Sequence, residues 1–161
     1  MDVYILRHGI AEDLSSGGSD AERALTPKGR QKLRQVLRLA RAAAIRPSVI
    51  LTSPLVRAVQ TAEVAAAIFA YRREVVRTNA LLPTASPQAI WQELRSRKNE
   101  PALLLVGHEP LLSQVVGYLL GTPGLRVALK KAGLVRIHIE SFSAAPSGTL
   151  QWLLSPKLAL E

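Results

Sequence analysis

Residues 3–13, VYILRHGIAED, carry a short apolar run, Val3–Leu6, that ends abruptly on Arg7, His8 and Gly9. A continuous apolar run of this length suits a strand covered on both faces, as in a parallel sheet packed between helices. An arginine and a histidine resist burial, so the strand delivers two polar groups to one point, and Gly9 is expected to let the chain bend there. The design recurs. SVILTSP (48–54) and ALLLVGH (102–108) are further apolar runs that end on polar residues, and segments of helical periodicity separate the three.

Thr26 reads as an N-cap with Pro27 at the first helical position, and Leu33, Val36, Leu37, Ala40, Ala43 and Ala44 recur at helical spacing. The opposite side of that helix carries Lys28, Arg30, Lys32, Arg34, Arg38 and Arg41, a solvated basic face. Ser53 is expected to cap a second helix opened by Pro54. REVVRT (73–78) gives a short third strand, Ser86–Pro87 opens a third helix with Ile90, Trp91 and Leu94, and Pro110 opens a fourth that fades at residues 121–124. LVRIHIES (134–141) and TLQWLLS (149–155) read as a hairpin turning near residues 146–148. SSGGSD (15–20) reads as a mobile loop and matches no phosphate-binding glycine spacing. The alternation predicts one domain over residues 1–161. Its fold class is α/β, a three-layer α/β/α sandwich whose mostly parallel sheet has right-handed crossovers and closes with an antiparallel hairpin.

Composition narrows the functional classes. The 161-residue chain has no cysteine, which removes disulfides, thiolate nucleophiles and cysteine-zinc sites. No secretory signal and no membrane-length apolar run is present, so a soluble cytoplasmic protein is expected. The net charge of +9 favours anionic partners. Aromatics make up only 4% of residues, too few for the stacking surfaces of single-strand binders, and no nucleic-acid reading motif appears.

Ligands of such sheets bind beyond the carboxyl ends of the strands. Arg7, His8, Ser53, Arg57 and His108 all fall there, although sequence does not say which strands are neighbours. Two guanidinium forks suit phosphate oxygens. A neutral imidazole is a nucleophile, and a second, protonated histidine stabilises charge on the equatorial oxygens, which together imply phosphoryl transfer through a phosphohistidine. His138 lies mid-strand, alternating with Ile137 and Ile139, and is assigned a structural role. No HxxxH, HExxH or GxSxG pattern supports a metal hydrolase or a serine hydrolase.

LRHG (6–9), LTPKGRQKL (25–33), TSPLVRAVQTAE (52–63) and LLVGHEP (104–110), in that order, resemble the histidine phosphatase superfamily, which has the phosphoglycerate mutase-like fold. Arg-His-Gly alone is a weak signal; the combination is specific. The resemblance implies that His8 is the transiently phosphorylated histidine, that Arg7 and Arg57 bind phosphate, and that His108 is the second histidine of the pocket, with no metal or organic cofactor. The short length and RALTPKG (23–29) resemble the SixA-type phosphohistidine phosphatases. Many larger members carry a glutamate after the third strand to protonate an alkoxide leaving group, whereas NALLPTASP (79–87) has no acid. Glu12, Asp13 and Glu109 remain candidate proton donors. The expected substrate is therefore a phosphohistidine-bearing protein acted on by a monomer. A small-molecule phosphomonoesterase acting on sugar phosphates is the alternative, and a non-catalytic phosphate-binding module a distant third.

Overall fold

The computed structural model describes residues 1–14 and 17–159. Of the SSGGSD patch, Ser15 and Ser16 lie outside the described residues. The remainder leads into a 3-10 turn at Asp20–Glu22, held by Ser19, whose N–H and hydroxyl both donate to Glu22 Oε2.

Six strands form one sheet: β1 (Asp2–Arg7), β2 (Val49–Thr52), β3 (Val76–Arg77), β4 (Ala102–Gly107), β5 (Leu134–His138) and β6 (Thr149–Leu154), in the order β3-β2-β4-β1-β5-β6. The first four strands run parallel. β5 is antiparallel to β1, and β6 to β5. Strand alternation divides the core in two. Val3, Ile5, Leu103 and Leu105 face one helical layer, α3 (Pro87–Ser96) and α4 (Leu111–Leu119). Tyr4, Leu6, Leu104 and Val106 face the other, α1 (Pro27–Ala42) and α2 (Val56–Phe69). β4 is buried at every position because both faces and both edges are covered. A short α5 (Pro156–Ala159) closes the described chain. Among the described residues no helix is long and apolar enough to cross a membrane.

Several expectations need adjustment. α1 stops at Ala42; Ala43 is its C-cap and Ala44 turns away with φ 61, so neither belongs to the apolar stripe. α2 begins at Val56 with Leu55 in the capping position, two residues later than the Ser53–Pro54 signal. β3 is only two residues long because it lies at the sheet edge and pairs with β2 alone. α4 begins at Leu111, with Pro110 in the capping position. β5 and β6 pair as read, but residues 139–148 join them in place of a tight turn, and the register shifts between Arg136 and Ile137.

The start of α1 shows how sequence choices anchor the site. Thr26 Oγ1 accepts from the Gly29 N–H at 2.9 Å, and Pro27 follows with its φ already helical. The Thr26 N–H donates to the Ile10 carbonyl at 2.9 Å, tying the helix to the chain leaving β1. A Cβ at Gly29 would lie 2.2 Å from that same Ile10 oxygen. The contact is backbone on backbone, so no side-chain rotation relieves it. Gly29→Ala is therefore expected to destabilise the protein by about 1–3 kcal/mol, read as a lower urea midpoint. An unchanged midpoint contradicts this account of the LTPKG glycine.

Candidate active site

The parallel pairing of β1 with β4 puts Arg7 opposite Gly107, and the His8 N–H donates to the Gly107 carbonyl at 3.0 Å. His8 and His108 leave adjacent strand ends, and their ring centroids are 5.1 Å apart. β2 flanks β4 on its other side, with the Ser53 N–H bonded to the Val106 carbonyl at 3.0 Å. One turn along, α2 presents Arg57, only 4% exposed. Sheet order thus brings Arg7, His8, Ser53, Arg57 and His108 to one edge. His138 stays apart, its Nδ1 2.9 Å from Asp2 Oδ1 at the opposite end of β1, beside the ion pair that Asp2 makes with Arg136.

His8 is 6% exposed, and its Nδ1 lies 2.7 Å from the Gly9 carbonyl oxygen. A carbonyl only accepts, so Nδ1 carries the proton and the Nε2 lone pair is left free. Burial, followed by the charges of Arg57, Arg7 and Lys131, pushes His8 down to about 4, against the bond to Gly9, which works in the opposite direction. The ring is neutral at physiological pH, as a nucleophile requires.

His108 differs from the sequence expectation of a protonated ring. Burial, then the neighbouring His8 and Arg57, pushes it down to about 3, so it is neutral in the unliganded pocket. Its Nε2 lies 2.8 Å from Ser53 Oγ. That hydroxyl already accepts from the Leu55 N–H at 3.3 Å, and its own proton can go to His108 Nε2. In that arrangement His108 Nδ1, buried and without a partner among the described residues, keeps the ring proton as a free donor. Ser53 is thus an orienting group for His108 and not the helix cap its sequence position suggested.

The two arginines are clamped from behind. Arg7 Nη1 donates to the Leu129 carbonyl at 2.9 Å. Arg57 donates from Nη1 to the Asp20 carbonyl at 2.8 Å and from Nη2 to Asp20 Oδ2 at 3.0 Å. Both Nε atoms are buried without partners among the described residues. A phosphoryl group gives these donors the acceptors they lack.

Supporting contacts fix the segment after β1. The Gly9 N–H donates to Thr61 Oγ1 at 3.2 Å, and Thr61 Oγ1 donates to the Arg57 carbonyl at 2.7 Å, so α2 grips the segment after His8 and its own arginine together. Gly9 is not in the left-handed region. Its constraint is space, because a Cβ would meet Leu25 Cδ2 at 3.2 Å and the Gly29 oxygen at 3.4 Å. On the other side, Ala132 at φ 61 points its N–H at the Arg7 and His8 carbonyls, both at 3.1 Å. For a non-glycine residue this conformation is strained.

Asp20 and Thr61 were absent from the sequence reading. Thr61 stands four residues after Arg57 and shares its helix face, a signal the sequence did contain. Asp20 sits behind the Ser/Gly patch with nothing local to mark it. Among the candidate proton donors, Glu12 and Asp13 line a separate cavity of about 160 Å³ with Arg23. The Glu109 carboxylate accepts from the Ser113 N–H and hydroxyl. Hydrogen bonding to Arg23, and the charge of Arg57, hold the Asp20 carboxyl below the usual carboxylate range, so it is ionised. Among the described residues no three His, Cys, Asp or Glu side chains are grouped to hold a metal ion.

The family model of the histidine phosphatase superfamily (branch 1) matches residues 3–81. An uncharacterized protein of Picosynechococcus sp. is 36% identical across 99% of each chain. In fold, the chain is similar to the protein histidine phosphatase SixA complexed with tungstate, at TM-score 0.86 and 23% identity over 98% of this chain and 99% of that one. It is also similar to a mutant phosphoserine phosphatase from Entamoeba histolytica in complex with phosphoserine, at TM-score 0.70 and 17% identity over 97% and 98%.

In an NMR titration of the unliganded protein, His8 and His108 are expected to titrate near 4 and near 3, and saturating phosphate is expected to raise both. Unfolded imidazoles take up protons from about 6.5 downward. In that window the unfolded chain binds more protons than the folded one, so these two groups make stability rise with pH and fall on acidification. His108→Asn should lose less stability than the unaltered protein between pH 7 and 5. Midpoints near 6.5 refute the buried-neutral description.

Proposed function

The chain belongs to the histidine phosphatase superfamily, and on that premise we propose that it is a phosphatase that removes the phosphoryl group from phosphohistidine on another protein. The observation that carries the reading is His8: a neutral ring, its proton held on Nδ1 by the Gly9 carbonyl, its Nε2 without a partner among the described residues, and the charges of Arg57 and Arg7 acting on it.

In the proposed mechanism His8 Nε2 attacks phosphorus in line, forming an N–P bond while the P–N bond to the substrate imidazole breaks. Arg7 and Arg57 neutralise the equatorial oxygens, and the partnerless His108 Nδ1–H adds a donor where charge gathers. Water then attacks the phosphorus of phospho-His8, releasing inorganic phosphate and restoring the ring. The net reaction consumes one water and leaves the substrate imidazole protonated in place of phosphorylated. Burial is the main cause that depresses the His108 pKa; a phosphoryl dianion offsets the smaller contribution of the neighbouring cations and so moves the ring toward protonation during turnover.

The choice of substrate rests on the leaving group. An alkoxide needs a proton in the transition state, and general acid catalysis contributes about 10²- to 10⁴-fold. The carboxylates nearest the arginines are otherwise engaged: Asp20 is ionised on Arg57 and Arg23, and Glu109 is bonded to Ser113. An imidazole leaving group can be protonated before the P–N bond breaks, so it tolerates a site without a poised acid. A phosphomonoesterase acting on sugar phosphates is the second reading, favoured by the fold similarity to a phosphoserine phosphatase; its alkoxide would need a proton that neither Asp20 nor Glu109 is poised to give.

With a radiolabelled phosphohistidine protein, an acid-labile, base-stable label is expected on the enzyme. His8→Ala should abolish the label and cut kcat/KM by at least about 10³-fold, the scale of losing a nucleophile. Label persisting in that variant overturns the nucleophile. Across a panel, kcat/KM should favour the phosphohistidine protein over sugar phosphates, and a large preference for a sugar phosphate overturns the substrate class. Activity is expected to survive a chelator, whereas loss restored by added metal favours a metal hydrolase.

A further inference from the structure

Beside the active site runs a cleft of about 390 Å³ whose walls carry Arg7, Lys32, Lys130, Lys131 and Lys157. These cations come from four places in the chain: the end of β1, α1, the turn before β5 and α5. Among the described residues no carboxylate lines the cleft, and none of its four lysines is ion-paired. Arg7 belongs to both cleft and active site, and the charge of Lys131 is felt at His8. The contrast with the larger cavity beside α3, about 760 Å³, is chemical. That cavity is lined by short polar side chains and Glu93, with no cation.

We propose that the lysine cleft is the docking groove for an acidic segment of the phosphorylated protein substrate, placed so that the phosphoryl group enters between Arg7 and Arg57. The proposal rests on the phosphohistidine phosphatase reading and names the partner chemistry of the same site. A peptide segment fits better than a small dianion for a structural reason. Lys130, Lys131 and Lys157 are exposed and Lys32 is half-buried, so the cleft has mobile point charges and not a rigid, desolvated cage. Such rim charges speed encounter and select partners by sign, with strong salt dependence.

The test uses a fluorescein-labelled hexaglutamate peptide without phosphate, followed by anisotropy, and two phosphohistidine peptides, one flanked by glutamates and one by serines. The proteins compared are the unaltered chain, a groove variant (Lys32→Glu, Lys130→Glu, Lys157→Glu) and a distant variant with the same change in net charge (Arg72→Glu, Arg95→Glu, Lys98→Glu). At low salt the groove variant should bind hexaglutamate at least about tenfold more weakly and the distant variant less than about threefold, with both differences fading as salt rises. The unaltered protein should show a higher kcat/KM for the glutamate-flanked peptide, a preference lost only in the groove variant. Equal weakening in both variants, or no preference between the peptides, overturns the groove. If the groove variant fails to fold, Lys32→Gln with Lys157→Gln gives the same comparison, with a smaller expected loss of about threefold. If neither phosphohistidine peptide is cleaved while hexaglutamate binding still follows the groove lysines, the phosphohistidine reading falls and the acidic-segment site stands.

Discussion

The pairing of β1 with β4 is the constraint on which the site depends. Residues distant in sequence, His8 and His108, become neighbours because two parallel strands end in register, with the His8 N–H bonded to the Gly107 carbonyl. A one-residue slip of either strand reverses which side chains face each helical layer. The two buried cores hold the register, since Val3, Ile5, Leu103 and Leu105 fill one layer while Tyr4, Leu6, Leu104 and Val106 fill the other. Packing far from the chemistry therefore sets the distance between two imidazoles.

The second constraint is electrostatic. Two guanidinium groups and two imidazoles share a buried edge, and a site of this kind resists any further positive charge. The histidines respond by staying neutral, which leaves the His8 ring with a lone pair on Nε2 and the His108 ring with a proton on Nδ1. Among the described residues Asp20 is the one direct carboxylate partner of Arg57, and it comes from the 3-10 turn on the loop between β1 and α1. The backbone is equally committed. Thr61 holds the Gly9 N–H, Ala132 adopts a left-handed conformation to reach the Arg7 and His8 carbonyls, and Gly29 lets α1 press on Ile10. These contacts give the segment that carries His8 little freedom, and under the proposed function little reorganisation is then needed when a phosphoryl group binds.

The surface beyond the pocket carries the same logic outward. The basic side of α1 reads in sequence as a solvated face, and most of it is. Lys32 is the member that folding combines with Lys130, Lys131 and Lys157 into a single cleft against Arg7. Net charge alone says that the chain favours anions; the cleft gives that positive charge a position beside Arg7.

Sequence alone determined the architecture and the main chemical groups, because both are written in local patterns. Apolar runs alternating with capped, periodic helices specify a layered α/β fold, and polar residues closing those runs mark Arg7, His8 and His108, with Arg57 at the start of the helix that follows β2. Local signals were least accurate where neighbours decide the outcome. β3 shrank to two residues at an open edge, α2 started at Val56 because Ser53 serves His108, and residues 139–148 replaced a tight turn. Only tertiary structure decided the strand order, and with it the meeting of the two histidines. It also decided the His8 tautomer, the neutral state of His108 and the engagement of Asp20 with Arg57. Each of these depends on burial or on a partner remote in sequence, and neither quantity is carried by any one stretch of the chain.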